Sequence, residues 1–100
     1  MGDTLYCALT ERTTIAPLTD SHPDITIEDA YRISLRFLEN RLAAGEKIIG
    51  KKIGVTSKPV MDLLNVRQPD FGFMTDAMRH DGEMAISKLL IQPRAEGEIA

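Results

Sequence analysis

Two glutamates near the end of this 100-residue sequence, Glu96 and Glu98, have a spacing suited to binding a cation. Gly97 separates them, and in a β-strand this spacing puts both carboxylates on one face, roughly 6 to 7 Å apart along the strand. Carboxylate oxygens are hard ligands of the kind that Mg²⁺ and Mn²⁺ prefer. The pattern therefore predicts a candidate metal site, although Glu-x-Glu is also common on strand faces that contact only water.

Lys52 is a second candidate, because it lies between Gly50 and Gly54 in the segment 48–56, which is rich in β-branched residues and glycine and predicts a strand. Glycine weakens a strand, and one reason to tolerate it is the close approach of a ligand. Lys52 could then reach an anionic substrate. The alternative is a surface lysine on an edge strand whose glycines mark a β-bulge.

Asp70 lies in the segment 68–73, which contains Pro69 and Gly72 and predicts a turn or an irregular segment. Its carboxylate could accept backbone N–H groups and do nothing more. His22 and His80 have no metal-ligand spacing to each other or to Cys7, and both are expected in exposed loops. As the single cysteine, Cys7 can form no internal disulfide and is interpreted as a buried or incidental thiol.

The elements that must position these residues begin with helices. A weak helical pattern covers residues 3–12, a loop follows to about residue 24, and a strong amphipathic pattern from Thr26 to Gly45 predicts the main helix. The polar side of that helix is typical of solvated surface and contains Arg32, Arg36, Glu39, Asn40 and Arg41. Beyond the strand at 48–56, we expect a short helix over 57–64, a strand over 84–91 and a final strand carrying Glu96 and Glu98.

Composition limits the class of protein. With 43% hydrophobic residues, 27% charged residues and a net charge of −3, the chain is typical of a globular protein with one modest core. It shows no apolar run long enough to span a membrane and no secretory signal, so the cytoplasm is the expected location. The absence of a basic stripe with interleaved aromatic residues excludes nucleic acid as an implied partner.

Three ordered motifs carry a resemblance to a known family. They are Gly-Lys-Lys-Ile-Gly-Val-Thr-Ser at 50–57, Gln-Pro-Asp-Phe-Gly at 68–72, and Gln-Pro-Arg-Ala-Glu-Gly-Glu-Ile-Ala at 92–100. In these motifs, and in the helix segment 28–35, the sequence resembles the 2-hydroxypenta-2,4-dienoate hydratases of the fumarylacetoacetate hydrolase superfamily. The 4-oxalocrotonate decarboxylases share much of the pattern, while the forms found here are more similar to the hydratases.

The resemblance implies an α+β fold, with N-terminal helices followed by the start of a mixed β-sheet or roll of the fumarylacetoacetate hydrolase type. A helical region would cover residues 1–46 and the beginning of the catalytic domain residues 47–100. Because family members are much longer and supply a third metal carboxylate farther along, the chain resembles their N-terminal portion. A free fragment of this extent is expected to be inactive.

The resemblance also implies site residues and chemistry. Glu96 and Glu98 match the metal-binding glutamates, Lys52 matches the active-site lysine, and Asp70 is a further catalytic candidate; the cofactor would be Mg²⁺ or Mn²⁺. The implied reaction is hydration of 2-hydroxypenta-2,4-dienoate to 4-hydroxy-2-oxopentanoate in aromatic meta-cleavage catabolism. The alternatives are a 4-oxalocrotonate decarboxylase and, for the fragment, a non-catalytic module that pairs subunits. Implied partners are further copies of the chain and a 4-oxalocrotonate decarboxylase.

Overall fold

The structure is a computed structural model and describes residues 1–99. It contains five α-helices, a short 3₁₀ helix and two strands, in the order α1 (Gly2–Glu11), α2 (Leu18–Ser21), α3 (Ile27–Ala43), β1 (Ile48–Gly54), α4 (Lys58–Leu64), β2 (Asp70–Thr75), the 3₁₀ helix (Asp76–Met78) and α5 (Ile86–Leu89). The described residues form two compact units. A helical unit comprises Met1–Arg41 and the described residues from His80 onward, and a sheet unit comprises Leu42–Arg79.

The helical unit is organised by the packing of α1 against α3. Gly2 is buried, and a Cβ atom there would lie 2.6 Å from the Cβ of Arg36, so only glycine permits this approach. One turn farther along α1, the ring of Tyr6 meets that of Phe37 edge-on, with centroids 6.3 Å apart. Asp3 accepts hydrogen bonds from Arg36 Nε at 2.9 Å and Asn40 Nδ2 at 2.7 Å. The two helices are thus joined by packing and by charge.

The predicted main helix is confirmed as α3, and its N-terminus is a reciprocal capping box. Asp29 N–H donates to Thr26 Oγ1 at 3.1 Å, while Asp29 Oδ2 accepts from Thr26 N–H at 3.1 Å and from its hydroxyl at 2.8 Å. The expectation of a fully solvated polar side is wrong at Arg41, which is buried with its guanidinium carbon 5.6 Å from the Phe37 ring centroid. An arginine can bury its apolar stem and stack its planar head on a ring, which the residue type alone does not indicate.

The sheet unit is built on the antiparallel pairing of β1 with β2, and helix α4 lies between the two strands in sequence. The register aligns Lys52 with Gly72 and Gly54 with Asp70, and it shifts by one residue between Ile48 and Gly50. Beyond Ile48, the fully buried Thr75 donates its hydroxyl to Glu46 Oε1 at 2.5 Å. Lys47 and Asp76 exchange two further hydrogen bonds, each 2.9 Å long. These contacts fix the register at this end of the sheet.

Four predictions about strands are wrong, the first of them only in its boundary. Strand β1 ends at Gly54 rather than Thr56, because Val55 has a left-handed backbone with φ 54°. Residues 70–73, expected as a turn, begin β2, since pairing with β1 outweighs local turn preference. In place of a strand at 84–91 the chain forms α5, and residues 92–99 have no strand. A strand needs a hydrogen-bonding neighbour, and among residues 1–99 β1 and β2 pair only with each other.

Helices together with a small antiparallel sheet confirm the expected α+β class. The boundary at residues 46 and 47 concerns the domains of a longer protein and stays a prediction. Within residues 1–99, no helix combines the length and apolar character needed to cross a bilayer.

Candidate functional site

Lys52 stands at the centre of a glycine-lined patch on one face of the sheet. Because residues aligned across two strands point to the same face, Lys52 shares its face with Gly72 opposite and with Gly50 and Gly54 on either side. A Cβ atom at position 72 would lie 3.5 Å from the Cγ of Lys52. Because Gly72 has no side chain, the neighbouring strand β2 does not cover the exposed lysine at this point. We call Gly50, Lys52, Gly54, Asp70 and Gly72 the lysine face.

Asp70 lies on the same face, diagonal to Lys52, because it is aligned with Gly54. Diagonal neighbours across an antiparallel pair have Cα atoms roughly 7–8 Å apart, which a long side chain such as lysine can span. Both residues are exposed. The structure thus brings together an ammonium group and a carboxylate on one face, which suits the binding and protonation of an anion. Glycines leave the surface around Lys52 open, and the side chain of Met74, aligned with Gly50, borders it.

The opposite face of the sheet has a different character. Ile53 is aligned with Phe71, and the two side chains are 52% and 56% exposed. Beside them, Lys51 Nζ lies 5.8 Å from the centroid of the Phe73 ring. The neighbouring lysines Lys51 and Lys52 therefore have different surroundings, apolar and aromatic for one and glycine-lined for the other.

Glu96 and Glu98 lie in an extended, exposed segment outside any helix or strand. The space around Gly97 is open, because a Cβ atom built on it meets no atom within 4 Å. Among residues 1–99, no three histidine, cysteine, aspartate or glutamate side chains are grouped so as to hold a metal ion. Glu96 and Glu98 provide carboxylate oxygens, which are suitable ligands for Mg²⁺ or Mn²⁺. Two carboxylates can supply part of the coordination shell of such an ion.

The predicted site residues fall in separate units. Lys52 and Asp70 belong to the sheet unit, and Glu96 and Glu98 to the helical unit. Each pair is therefore defined by its own local geometry. His22 and His80 are exposed as expected, and Cys7 is an exposed, free thiol on α1.

Sequence reasoning missed Gly72 as part of the lysine face. The signal was present, since Gly72 is two residues after Asp70 and so shares its face whenever 70–75 is a strand. It was hidden by the turn-forming character of Pro69, Asp70 and Gly72, and it becomes visible only when β2 is aligned with β1.

Comparison with curated proteins reveals several relatives that match essentially the whole chain, among them two that are 63–65% identical to it. A 2-hydroxypent-2,4-dienoate hydratase from Pseudomonas putida is 65% identical over 100% of this chain, which covers 46% of that protein. A 2-hydroxyhexa-2,4-dienoate hydratase from Comamonas testosteroni is 63% identical over 99% of the chain and is covered to 39%. The chain is similar in sequence to the 2-hydroxydienoate hydratases. No family model matches it.

The sequence similarity to the hydratases confirms the predicted resemblance. The chain spans less than half the length of these two relatives. A solved structure adds the fold. The 4-oxalocrotonate decarboxylase of Pseudomonas putida G7, complexed with magnesium and adipate, matches with a TM-score of 0.72 at 31% identity, over 75% of this chain and 28% of that one. The same decarboxylase complexed with calcium and acetate gives the same TM-score. Three quarters of the chain thus match part of the fold of a decarboxylase whose structures contain divalent cations.

Proposed function

We propose that the protein to which this chain belongs hydrates 2-hydroxypenta-2,4-dienoate to 4-hydroxy-2-oxopentanoate, as a metal-dependent hydro-lyase of aromatic meta-cleavage catabolism. The identity of 63–65% with two named hydratases carries this proposal, because the aligned regions cover 99–100% of the chain and so include every segment in which site residues are predicted. The decarboxylase, by contrast, is 31% identical over three quarters of the chain.

In this proposal, Glu96 and Glu98 hold a divalent cation, Mg²⁺ or Mn²⁺, and residues of the longer protein complete its coordination. When bound, the cation supplies Lewis-acid polarisation of a substrate oxygen. Two carboxylates next to an unobstructed glycine leave room for a chelating substrate to approach the same ion.

Lys52 is proposed to donate a proton and stabilise negative charge on the substrate, and Asp70 to orient the water or the lysine. The substrate dienol gains a proton at C5 and loses its hydroxyl proton to become an α,β-unsaturated ketone. Water then adds its hydroxyl to C4 and a proton to C3, so that one water is incorporated. An ammonium at Lys52 can stabilise the negative charge that develops on the substrate and donate a proton. Asp70, diagonal to it, can orient the water or the lysine.

In the first experiment, the full-length protein is mixed with 2-hydroxypenta-2,4-dienoate in the presence of Mg²⁺ or of a chelator. The absorbance of the dienol is followed over time, and the product is identified. We expect metal-dependent decay to 4-hydroxy-2-oxopentanoate. Glu96→Gln should lower kcat/KM at least about 100-fold, since loss of even an outer-shell partner of a metal site costs 10- to 100-fold. Glu83→Gln, which changes an exposed glutamate outside the motif, should leave it unchanged. Full activity in chelator would contradict the proposal.

A second candidate is a 4-oxalocrotonate decarboxylase, which the fold match to that enzyme favours. Release of CO₂ from 4-oxalocrotonate, with no reaction of the dienol, would replace the hydratase by this candidate. Inertness toward both substrates would instead support a non-catalytic, subunit-pairing role.

The cellular setting follows from the same proposal. We expect a cytoplasmic homo-oligomer that associates with a 4-oxalocrotonate decarboxylase, because the product of one enzyme would pass directly to the next. Size-exclusion chromatography of the full-length protein, alone and with the decarboxylase, measures both associations.

A further inference from the structure

Four non-glycine residues among residues 1–99 have a left-handed backbone: Arg12 (φ 56°), Val55 (φ 54°), Asn65 (φ 54°) and Gln92 (φ 50°). Two of them have an ordinary explanation. Arg12 and Asn65 are the C-caps of α1 and α4, where the backbone N–H bonds to carbonyls of the last helical turn. Left-handed residues are common at that position.

Val55 has no such explanation, because it follows the last residue of a strand. A β-branched residue is the least suited to positive φ, since its Cβ substituents crowd the backbone. Glycine or asparagine would adopt the conformation at lower cost. Such strain persists only when the surrounding structure holds it in place, and it concentrates at functional sites.

The location of Val55 indicates what the strain maintains. It directly follows Gly54, the residue aligned with Asp70, and lies three residues after Lys52. An extended Val55 would continue β1 and place Thr56 on the lysine face, following the alternation of Lys52 and Gly54. The left-handed turn instead ends the strand and leads the chain to Ser57, whose side chain caps α4 by accepting from Val60 N–H at 3.4 Å.

We propose that Val55 is a positioning residue, whose left-handed turn ends β1 at the Gly54–Asp70 pair and thereby holds Lys52 and Asp70 in diagonal alignment. The far end of the same sheet is fixed by the Thr75–Glu46 and Lys47–Asp76 hydrogen bonds. The turn at Val55 supplies the constraint at the near end. This inference rests on the proposed function, in which the lysine face acts on the substrate.

The test compares Val55→Gly with Val55→Ala in the full-length protein. Both variants remove the isopropyl group, but only glycine accepts φ 54° freely while also allowing the chain to leave it. We expect V55G to unfold at a higher temperature than V55A and both to keep a kcat near that of the wild type. Val55→Pro fixes φ at about −65° and so excludes the left-handed turn; it should lower kcat about tenfold, because a small misplacement of a reacting group is costly. The KM for the dienoate should be unchanged, and the pH profile of kcat should shift only in V55P. V55T, which keeps the branched Cβ, should retain wild-type kcat.

Asn65→Gly is the matched control, because it relaxes a left-handed residue that ends a helix. It should leave kcat and its pH profile unchanged. Wild-type kcat in V55P would overturn the inference, as would a lower unfolding temperature of V55G than of V55A, which would show that the backbone at position 55 is not strained. Inactivity of the wild-type protein toward the dienoate would contradict the proposed function itself, so the two failures are distinguishable.

Discussion

Gly2 determines how closely the first helix approaches the third. A Cβ atom built on it would lie 2.6 Å and 2.7 Å from two side-chain carbons of Arg36 and 2.8 Å from the carbonyl oxygen of Ile33. The carbonyl belongs to the backbone of α3 and cannot rotate away. The residue type at position 2 is therefore restricted to glycine by contacts with residues of α3 that lie more than 30 positions later in the sequence.

Gly2→Ala should destabilise the protein by about 1–3 kcal/mol, the usual cost of an added methyl group in a close-packed contact. The measurement is the urea midpoint of unfolding. Gly54→Ala is the control, because a Cβ atom there meets nothing within 4 Å and the backbone φ is not positive. Equal midpoints for the two variants would show that α1 can shift without loss.

At this scale the sequence indicates candidate residues by type and spacing, but it does not indicate which residues surround them. Lys52 between two glycines is visible in the sequence, and the cross-strand Gly72 is not, because register depends on non-local pairing. Glu96 and Glu98 are recognisable by spacing and by resemblance. Their expected strand is not formed among residues 1–99, since a strand requires a neighbour that local sequence does not specify.

Helix α3 is the element for which local signals are strongest. Thr26 and Asp29 satisfy each other's backbone and side-chain groups at its N-terminus, so its start is encoded within four residues. Arg32 pairs with Glu28 at 2.6 Å one turn later, but both are largely exposed and such a pair contributes little.

Thr26→Ala should cost about 1 kcal/mol of stability, because the N–H of Asp29 loses its acceptor. Thr26→Ser, which retains the hydroxyl, should remain near the wild type. Thermal unfolding followed by circular dichroism compares the two. A loss of the same size in both would mean that the Thr26 methyl group, and not the cap, is the stabilising feature.

Elements defined by a helical period or a cap, namely α1, α3 and α4, are predicted almost to the residue. Strand β2 is missed, because Pro69, Asp70 and Gly72 are turn formers by local preference, whereas cross-strand alignment with Gly54 and Lys52 makes 70–75 extended. The segment 86–89 is misassigned for a related reason: a short apolar run is compatible with either a helix turn or a strand.

For the whole molecule, two carboxylates make folding sensitive to acid. Hydrogen bonds from Asn40 and Arg36 lower the pKa of Asp3, and hydrogen bonds from the side chain and backbone of Thr26 lower that of Asp29. The folded state thus holds these protons less tightly than the unfolded chain does. Their contribution to stability is fully present above the unfolded aspartate pKa of about 3.9 and is lost as the pH falls through the lower, folded values.

The urea midpoint of unfolding should therefore fall between about pH 5 and pH 3, and the fall should be shallower in the double variant Asp3→Asn/Asp29→Asn. Glu83→Gln serves as the reference, since it changes the charge equally per site away from these bonds. An identical pH dependence in the double variant and the wild type would show that neither bond is maintained in solution.

The two outer edges of the small sheet also affect the solubility of the 100-residue chain. Within residues 1–99 the sheet has two strands, so β1 and β2 each have one edge with no neighbouring strand, and the side chains of Ile53 and Phe71 are exposed. Such edges are templates for intermolecular strand addition. We therefore expect the 100-residue chain to aggregate at high concentration through strand addition between copies.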